Sequence, residues 1–197
     1  MANAVEIIVC ASGKSSRFLS NKLLYELPTG NNILYMTLAQ IKKESSCRCT
    51  VIFPPEQPEM MKTVVKSSCE AQVLSPASKG LSDTIAHSVK LYPDAVGWLI
   101  CLADMPSIKP NIYKTICAMA SLNKIIAPTF EGRRGHPVYF PNRFYNELAV
   151  LTGDKGAASI ISQFHKEVVL LPVKEAAITE DIDTLLDLDK YLSKNIQ

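Results

Sequence analysis

The chain has 197 residues and a formal net charge of +2, with 47% hydrophobic and 20% charged side chains. That balance supplies a core for one large domain over residues 1–197, and it is too weakly basic for a nucleic-acid surface. No apolar run reaches the ~18 residues of a membrane span, and the first residues lack the basic and apolar regions of a signal peptide. A cytoplasmic protein with neither membrane nor nucleic-acid partners is expected.

The short apolar run Val5–Cys10 predicts a buried first strand. It empties into a small-residue loop carrying Gly13, Ser15, Arg17 and Lys22. A glycine lets backbone approach a ligand, and exposed N–H groups in such a turn form an anion-binding concavity. Arg17 adds a planar fork and Lys22 a point charge. The residues themselves also allow a polar turn with no ligand. Two familiar phosphate loops are excluded. A Walker A motif needs a glycine where Ile8 stands, and the dinucleotide fingerprint needs three glycines where only Gly13 is present.

Further along, helix-like Leu34–Lys43 precedes a strand at Thr50–Phe53 and a rigid Pro54-Pro55 loop. Helix Pro58–Ser67 and strand Ala71–Leu74 follow. Lys79-Gly80-Leu81-Ser82-Asp83 then opens a helix to Leu91, with Ser82 as its expected N-cap. The most apolar strand, Trp98–Leu102, runs directly into Asp104, either a Mg²⁺ ligand or a turn aspartate before Pro106. Helix Pro110–Ala120 begins with a proline suited to its first turn. Strand Lys124–Ala127 precedes a glycine-flanked loop with Arg133, Arg134, Gly135, His136 and Pro137, then an added strand at Val138-Tyr139-Phe140. Helix Gly156–Phe164, with Asp154 as expected N-cap, strand Glu167–Leu171 and helix Thr184–Leu192 complete the pattern. Strands separated by single helices predict a Rossmann-like, three-layer α/β/α fold with a mostly parallel sheet.

Six cysteines, at 10, 47, 49, 69, 101 and 117, lack a second pair at zinc spacing, so reduced thiols are expected. His87 falls in a helix pattern and reads as structural, and His165 as a surface residue. In such a sheet, ligands sit beyond the carboxyl ends of the strands. There the first loop can hold a triphosphate, Asp104 the bridging metal, and the Gly80 loop a base. Phosphoryl or nucleotidyl transfer needs mainly positioning and charge neutralisation, so no Ser/His/Asp triad is required.

These motifs resemble the MobA-like nucleotidyltransferases, most closely the molybdenum cofactor cytidylyltransferases. Residues 11–24 match A-A-G-x-S-x-R-[MF]-G-x-x-K-L-L. Leu102-Ala103-Asp104-Met105-Pro106 matches L-A-D-M-P, and Gly135-His136-Pro137-Val138 matches G-H-P-V. Residues 152–157 match the G-D-x-G-A segment, and Asp181-Ile182-Asp183-Thr184 matches D-I-D-T. The matches keep family order over nearly the whole chain.

The resemblance implies a nucleotide-diphospho-sugar transferase-like fold and transfer of CMP from CTP to the phosphate of molybdopterin, releasing pyrophosphate. Catalytic roles would fall to Lys22, Arg17 and Asp104. Ala11, Ser12, Gly13, Ser15, Arg17, Lys22, Gly80, Ser82 and Asp83 would bind nucleotide. Arg133, Gly135, His136 and Pro137 would border the acceptor. Asp104 and Asp183 would hold Mg²⁺, with Asp181 an alternative to Asp183. A molybdenum-dependent dehydrogenase is the implied protein partner. Two positions depart from the pattern: Ser12 stands for alanine and Leu19 for glycine. Guanylyltransferase relatives tend to carry A-G-G and P-H-P-V at the corresponding places, so Ser12 and Gly135 favour CTP over GTP. An NAD(P)H-dependent oxidoreductase and a non-catalytic cofactor carrier are the alternatives on the same fold.

Overall fold

The computed structural model describes residues 4–13, 21–44, 47–75 and 80–195. Among them, eight strands form one sheet. Its strands are β1 (Val5–Cys10), β2 (Cys49–Phe53), β3 (Glu70–Val73), β4 (Gly97–Leu102), β5 (Ile125–Phe130), β6 (Arg133–Arg134), β7 (Val138–Pro141) and β8 (Val168–Pro172). The order is β3-β2-β1-β4-β7-β5, with β8 on the far side of β5 and β6 paired to the end of β5.

β1 is parallel to β2 and β4, and β8 is parallel to β5. The added strand β7 runs antiparallel between β4 and β5. The mostly parallel expectation holds; β6 and β7 are antiparallel to their neighbours, and β7 sits inside the sheet rather than at an edge. The cause is local: the chain reverses through the glycine-flanked turn at Glu131 and Gly132, whose φ values are 49° and 77°. Such a hairpin can only return antiparallel.

All six residues of β1 are buried, as its largely apolar run requires when both faces are covered. Ile7 and Val9 face one core with α1 (Ile33–Glu44), α2 (Pro58–Lys66), α4 (Pro110–Ala118) and α7 (Leu185–Asn195). Ile8 and Cys10 face a second core with α3 (Leu81–Leu91), α5 (Tyr145–Ala149) and α6 (Ala158–Gln163). The one charge on β1, Glu6, is buried and held by Arg48 in a two-pronged pair at 2.6 and 2.7 Å. No helix among the described residues is long and apolar enough to cross a membrane. Among the described residues no disulfide joins the six cysteines.

Two expected caps are corrected. The N-cap of α3 is Gly80, not Ser82. α6 starts at Ala158 with Ala157 before it, so Asp154 stands too early to cap it. Gly153 and Gly156, at φ 89° and 60°, keep the intervening chain out of a helix. α5 has no counterpart in the sequence reading. At the far end, Thr184 and Asp187 form a reciprocal cap on α7. Thr184 N–H donates to the Asp187 carboxylate at 2.9 Å, and Asp187 N–H donates to Thr184 Oγ1 at 3.2 Å.

Candidate active site

The carboxyl ends of β1 and β4 lie side by side, since Cys10 pairs with Leu102. Ala103 N–H donates to the Cys10 carbonyl at 3.2 Å, so the loops after both strands leave together. They open on a cavity of about 670 Å³ walled by Ala11, Ser12, Gly13, Lys22, Gly80, Asp104, Asp154 and Asp183, among others. Seven of these eight were nominated from sequence; Asp154 was not. Of the remaining nominees, Ser15 and Arg17, like the divergent Leu19, lie outside the described residues.

Lys22 opens a single helical turn, Lys22–Leu24. The preceding Asn21 accepts a hydrogen bond from Leu23 N–H at 3.1 Å and donates to Gln57 Oε1 at 3.2 Å. That anchors the turn and aims the long Lys22 stem into the cavity. Its Nζ donates to Asp104 Oδ2 at 2.7 Å and to Asp183 Oδ1 at 2.5 Å. Asp183 reaches this point because Ile182 N–H donates to the Asp104 carbonyl at 3.0 Å, docking its segment beside the β4 loop. Burial works against the Lys22 charge, but Asp104 and then Asp183 outweigh it and hold the ammonium above its ordinary pKa.

Asp181 completes an acidic group. One carboxylate oxygen from each of Asp104, Asp181 and Asp183 lies within 4.8 Å of the others. Burial, then the neighbouring charges of Asp104 and Asp183, push the Asp181 carboxyl up. Among the described residues, Asp104 Oδ1 is buried without a hydrogen-bond partner. Three hard oxygen donors this close suit Mg²⁺ or Mn²⁺. The sequence left Asp181 and Asp183 as alternatives; both lie within reach of one ion.

The second loop is braced from behind. Ser82 N–H donates to the Gly153 carbonyl, Ser82 Oγ to the Gly156 carbonyl, and Gly153 N–H to Asp83 Oδ1, each at 3.0 Å. Ser82 is buried and its hydroxyl is committed to this seam; neither Ser82 nor Asp83 lines the cavity. Gly80 is needed for close approach: a Cβ there would meet Asp154 Cα at 2.5 Å and Gly153 O at 2.6 Å. Ser12 and Thr84 hydroxyls bond directly, tying the first loop to α3. The Cys10 thiol in the cavity wall is pushed up to about 12 by burial and then by Asp104, so it stays protonated.

Gly135 and His136 line a smaller, more apolar cavity of about 180 Å³, which shares Leu81 with the larger one. Arg134 and Lys155 line it too, whereas Arg133 is exposed on β6 and lines neither cavity, nor does Pro137. Sequence cannot tell which of two adjacent arginines faces inward; strand alternation decides it. A Cβ on Gly135 would lie 2.1 Å from the Ile178 carbonyl, which also accepts from His136 N–H at 2.8 Å. Burial pushes the His136 imidazole below its ordinary pKa, against smaller upward pulls from the Ile100 backbone and Asp181. His136 is therefore neutral near pH 7.

The structure resembles solved proteins closely in fold. Rv0371c from Mycobacterium tuberculosis H37Rv aligns with a TM-score of 0.86 and 22% identity, covering 98% of this chain and 99% of its own. Its manganese complex aligns at 0.80 with 21% identity, covering 97% and 99%. The Rv0371c homologue from Mycobacterium sp. strain JC1 aligns at 0.83 with 25% identity, covering 96% of both chains. Molybdopterin-guanine dinucleotide biosynthesis protein A from Archaeoglobus fulgidus aligns at 0.68 with 18% identity, covering 96% and 99%. No curated protein matches the chain by sequence. A profile described as the MobA-like NTP transferase domain matches residues 7–168, most of the chain and most of the cavity wall. With a doubly covered α/β sheet and an acidic, lysine-bearing cavity at the ends of β1 and β4, the chain belongs to the MobA-like NTP transferase family of nucleotidyltransferases.

Proposed function

We propose that the protein transfers CMP from CTP to the phosphate of a molybdopterin-type acceptor, with Mg²⁺, and releases pyrophosphate. The observation that carries the reading is the convergence of Lys22, Asp104 and Asp183 in one cavity large enough for a nucleotide. Lys22 faces the α-phosphate and neutralises charge building there, with Arg17 holding the triphosphate. Asp104, Asp181 and Asp183 hold the cation, which when bound supplies charge neutralisation at the phosphates. A manganese complex of Rv0371c supports a divalent ion in this fold. The acceptor phosphate is itself the nucleophile, so neither the protonated Cys10 thiol nor the neutral His136 is asked to attack or to remove a proton.

The acceptor lies toward Gly135 and His136, where Arg134 and Lys155 offer positive charge. The molybdopterin assignment is supported by the likeness to the Archaeoglobus fulgidus protein and by the ordered motifs. Ser12 and Gly135 support CTP over GTP. Calorimetry with CTP, GTP, ATP and NADPH, each with and without Mg²⁺, tests the reading. Mg²⁺-dependent CTP binding, lost in Asp104→Asn, and pyrophosphate release with molybdopterin are expected. Tight GTP binding moves the base assignment. Metal-independent NADPH binding, or no nucleotide binding, refutes the transfer.

A further inference from the structure

The ammonium of Lys22 occupies the space among the carboxylates that a cation would need. It lies 2.7 Å from Asp104 Oδ2 and 2.5 Å from Asp183 Oδ1. A Mg²⁺ ion takes carboxylate oxygens at ~2.1 Å. An ion on those same oxygens would stand almost against Nζ, two like charges inside a recess where the Lys22 side chain is only 9% exposed. The backbone of Lys22 is fixed by the Asn21 cap and by Tyr25 N–H donating to its carbonyl at 3.1 Å. The flexible four-carbon stem is the part that can yield.

We propose that Lys22 is an internal counter-ion that competes with the divalent cation for Asp104 and Asp183, and that an anionic nucleotide relieves the competition by drawing the ammonium onto its phosphates. The proposal deepens the transfer reading and rests on it for the nucleotide half. Three carboxylates meet here, which sets up a demand for positive charge. Yet the part of it that Lys22 meets lies on two of the three ligating groups. Metal alone therefore binds weakly, and metal and nucleotide each strengthen the other, because both reward the same side-chain movement.

The test is Mn²⁺ binding to the free protein, followed by electron paramagnetic resonance at low ionic strength. Lys22→Met keeps the length of the stem and removes the charge. It is expected to bind Mn²⁺ at least ~10-fold more tightly than wild type, and Lys22→Gln should do the same. Asp104→Asn placed on Lys22→Met should abolish the gain. Equal or weaker Mn²⁺ binding by both variants, a gain that survives Asp104→Asn, or no Mn²⁺ binding by any of the proteins overturns the proposal. A second measurement uses wild type alone and needs no variant to fold. Amine acetylation mapped by mass spectrometry should find Lys22 slow relative to the exposed Lys62, and saturating Mg²⁺ should speed Lys22 alone. An unchanged or slowed Lys22 overturns the exchange. If Lys22→Met binds Mn²⁺ more tightly while no nucleotide binds, the transfer reading falls and the competition stands.

Discussion

Gly80→Ala tests the seam behind the cavity. The added methyl would lie 2.5 Å from Asp154 Cα and 2.6 Å from Gly153 O, where ordinary contact begins at 3.4 Å. Both neighbours are backbone atoms, so the loop must retreat by about 0.9 Å, the difference between contact and overlap. The three hydrogen bonds that close the seam are each 3.0 Å long, and a retreat of that size takes them out of range. Overpacking and the loss of bonds at this level cost about 2 kcal/mol, a fall in Tm of roughly 4–8 °C for a chain of this size. Because Gly80 and Asp154 both wall the larger cavity, nucleotide affinity should fall with Tm. Thermal unfolding and calorimetry read the two effects. Ser82→Ala, which removes only the bond to Gly156, should lose about half as much stability and keep most of the affinity. Wild-type Tm and affinity in Gly80→Ala would refute the close-packed seam.

Gly135→Ala should be at least as disruptive, because its methyl would lie 2.1 Å from the Ile178 carbonyl, three residues before Asp181; Mn²⁺ binding and Tm should both fall, and an unaffected metal site would count against the docking of these loops. Thr184→Ala removes one half of the α7 cap and should cost about 1 kcal/mol, or roughly 2–4 °C in Tm. The Asp187 carboxyl in that cap is held below its ordinary range chiefly by the Thr184 hydroxyl. Its contribution is present above the unfolded pKa of ~3.9 and is lost as pH falls through the lower folded value; in Thr184→Ala acid unfolding should shift to higher pH. His136 is depressed by burial, so its contribution is present above ~6.5 and is lost as pH falls through its lower folded pKa. Stability of His136→Gln should be flatter below that pH than wild type, and an unchanged slope in denaturant titrations would contradict a buried neutral imidazole. Arg48→Met strands the buried Glu6 carboxylate and should cost ~3 kcal/mol, with Glu6→Gln on the same background restoring part of it.

The sequence disclosed what local pattern encodes. β1 and β4 are largely apolar because both faces are covered, and the loops they feed bring Lys22 and Asp104 together, where Asp183 from late in the chain joins them. It hid what tertiary placement decides. Ser82 looks like a nucleotide ligand beside a glycine, but its hydroxyl is spent inside the seam. Asp154 reads as a helix cap until two left-handed glycines turn it into cavity wall. Choosing Arg134 over Arg133 requires the pairing register of β6, which a two-residue strand does not announce. The antiparallel course of β7 was signalled by the glycine-flanked turn, while its insertion between β4 and β5 was not, since strand order is a long-range property.

The three groups that meet at the Lys22 ammonium come from positions 22, 104 and 183, spread over most of the chain. During synthesis the amino-terminal strands leave the ribosome first. β1 to β4 can therefore assemble, with Lys22 and Asp104 already facing each other, while the segment bearing Asp183 is still inside the ribosomal tunnel. The nascent chain carries a paired but incomplete centre. Its last carboxylate arrives with the stretch that docks through Ile182 onto the Asp104 carbonyl. Chains cut short before residue 183 would keep the central strands yet lack one wall of the cavity.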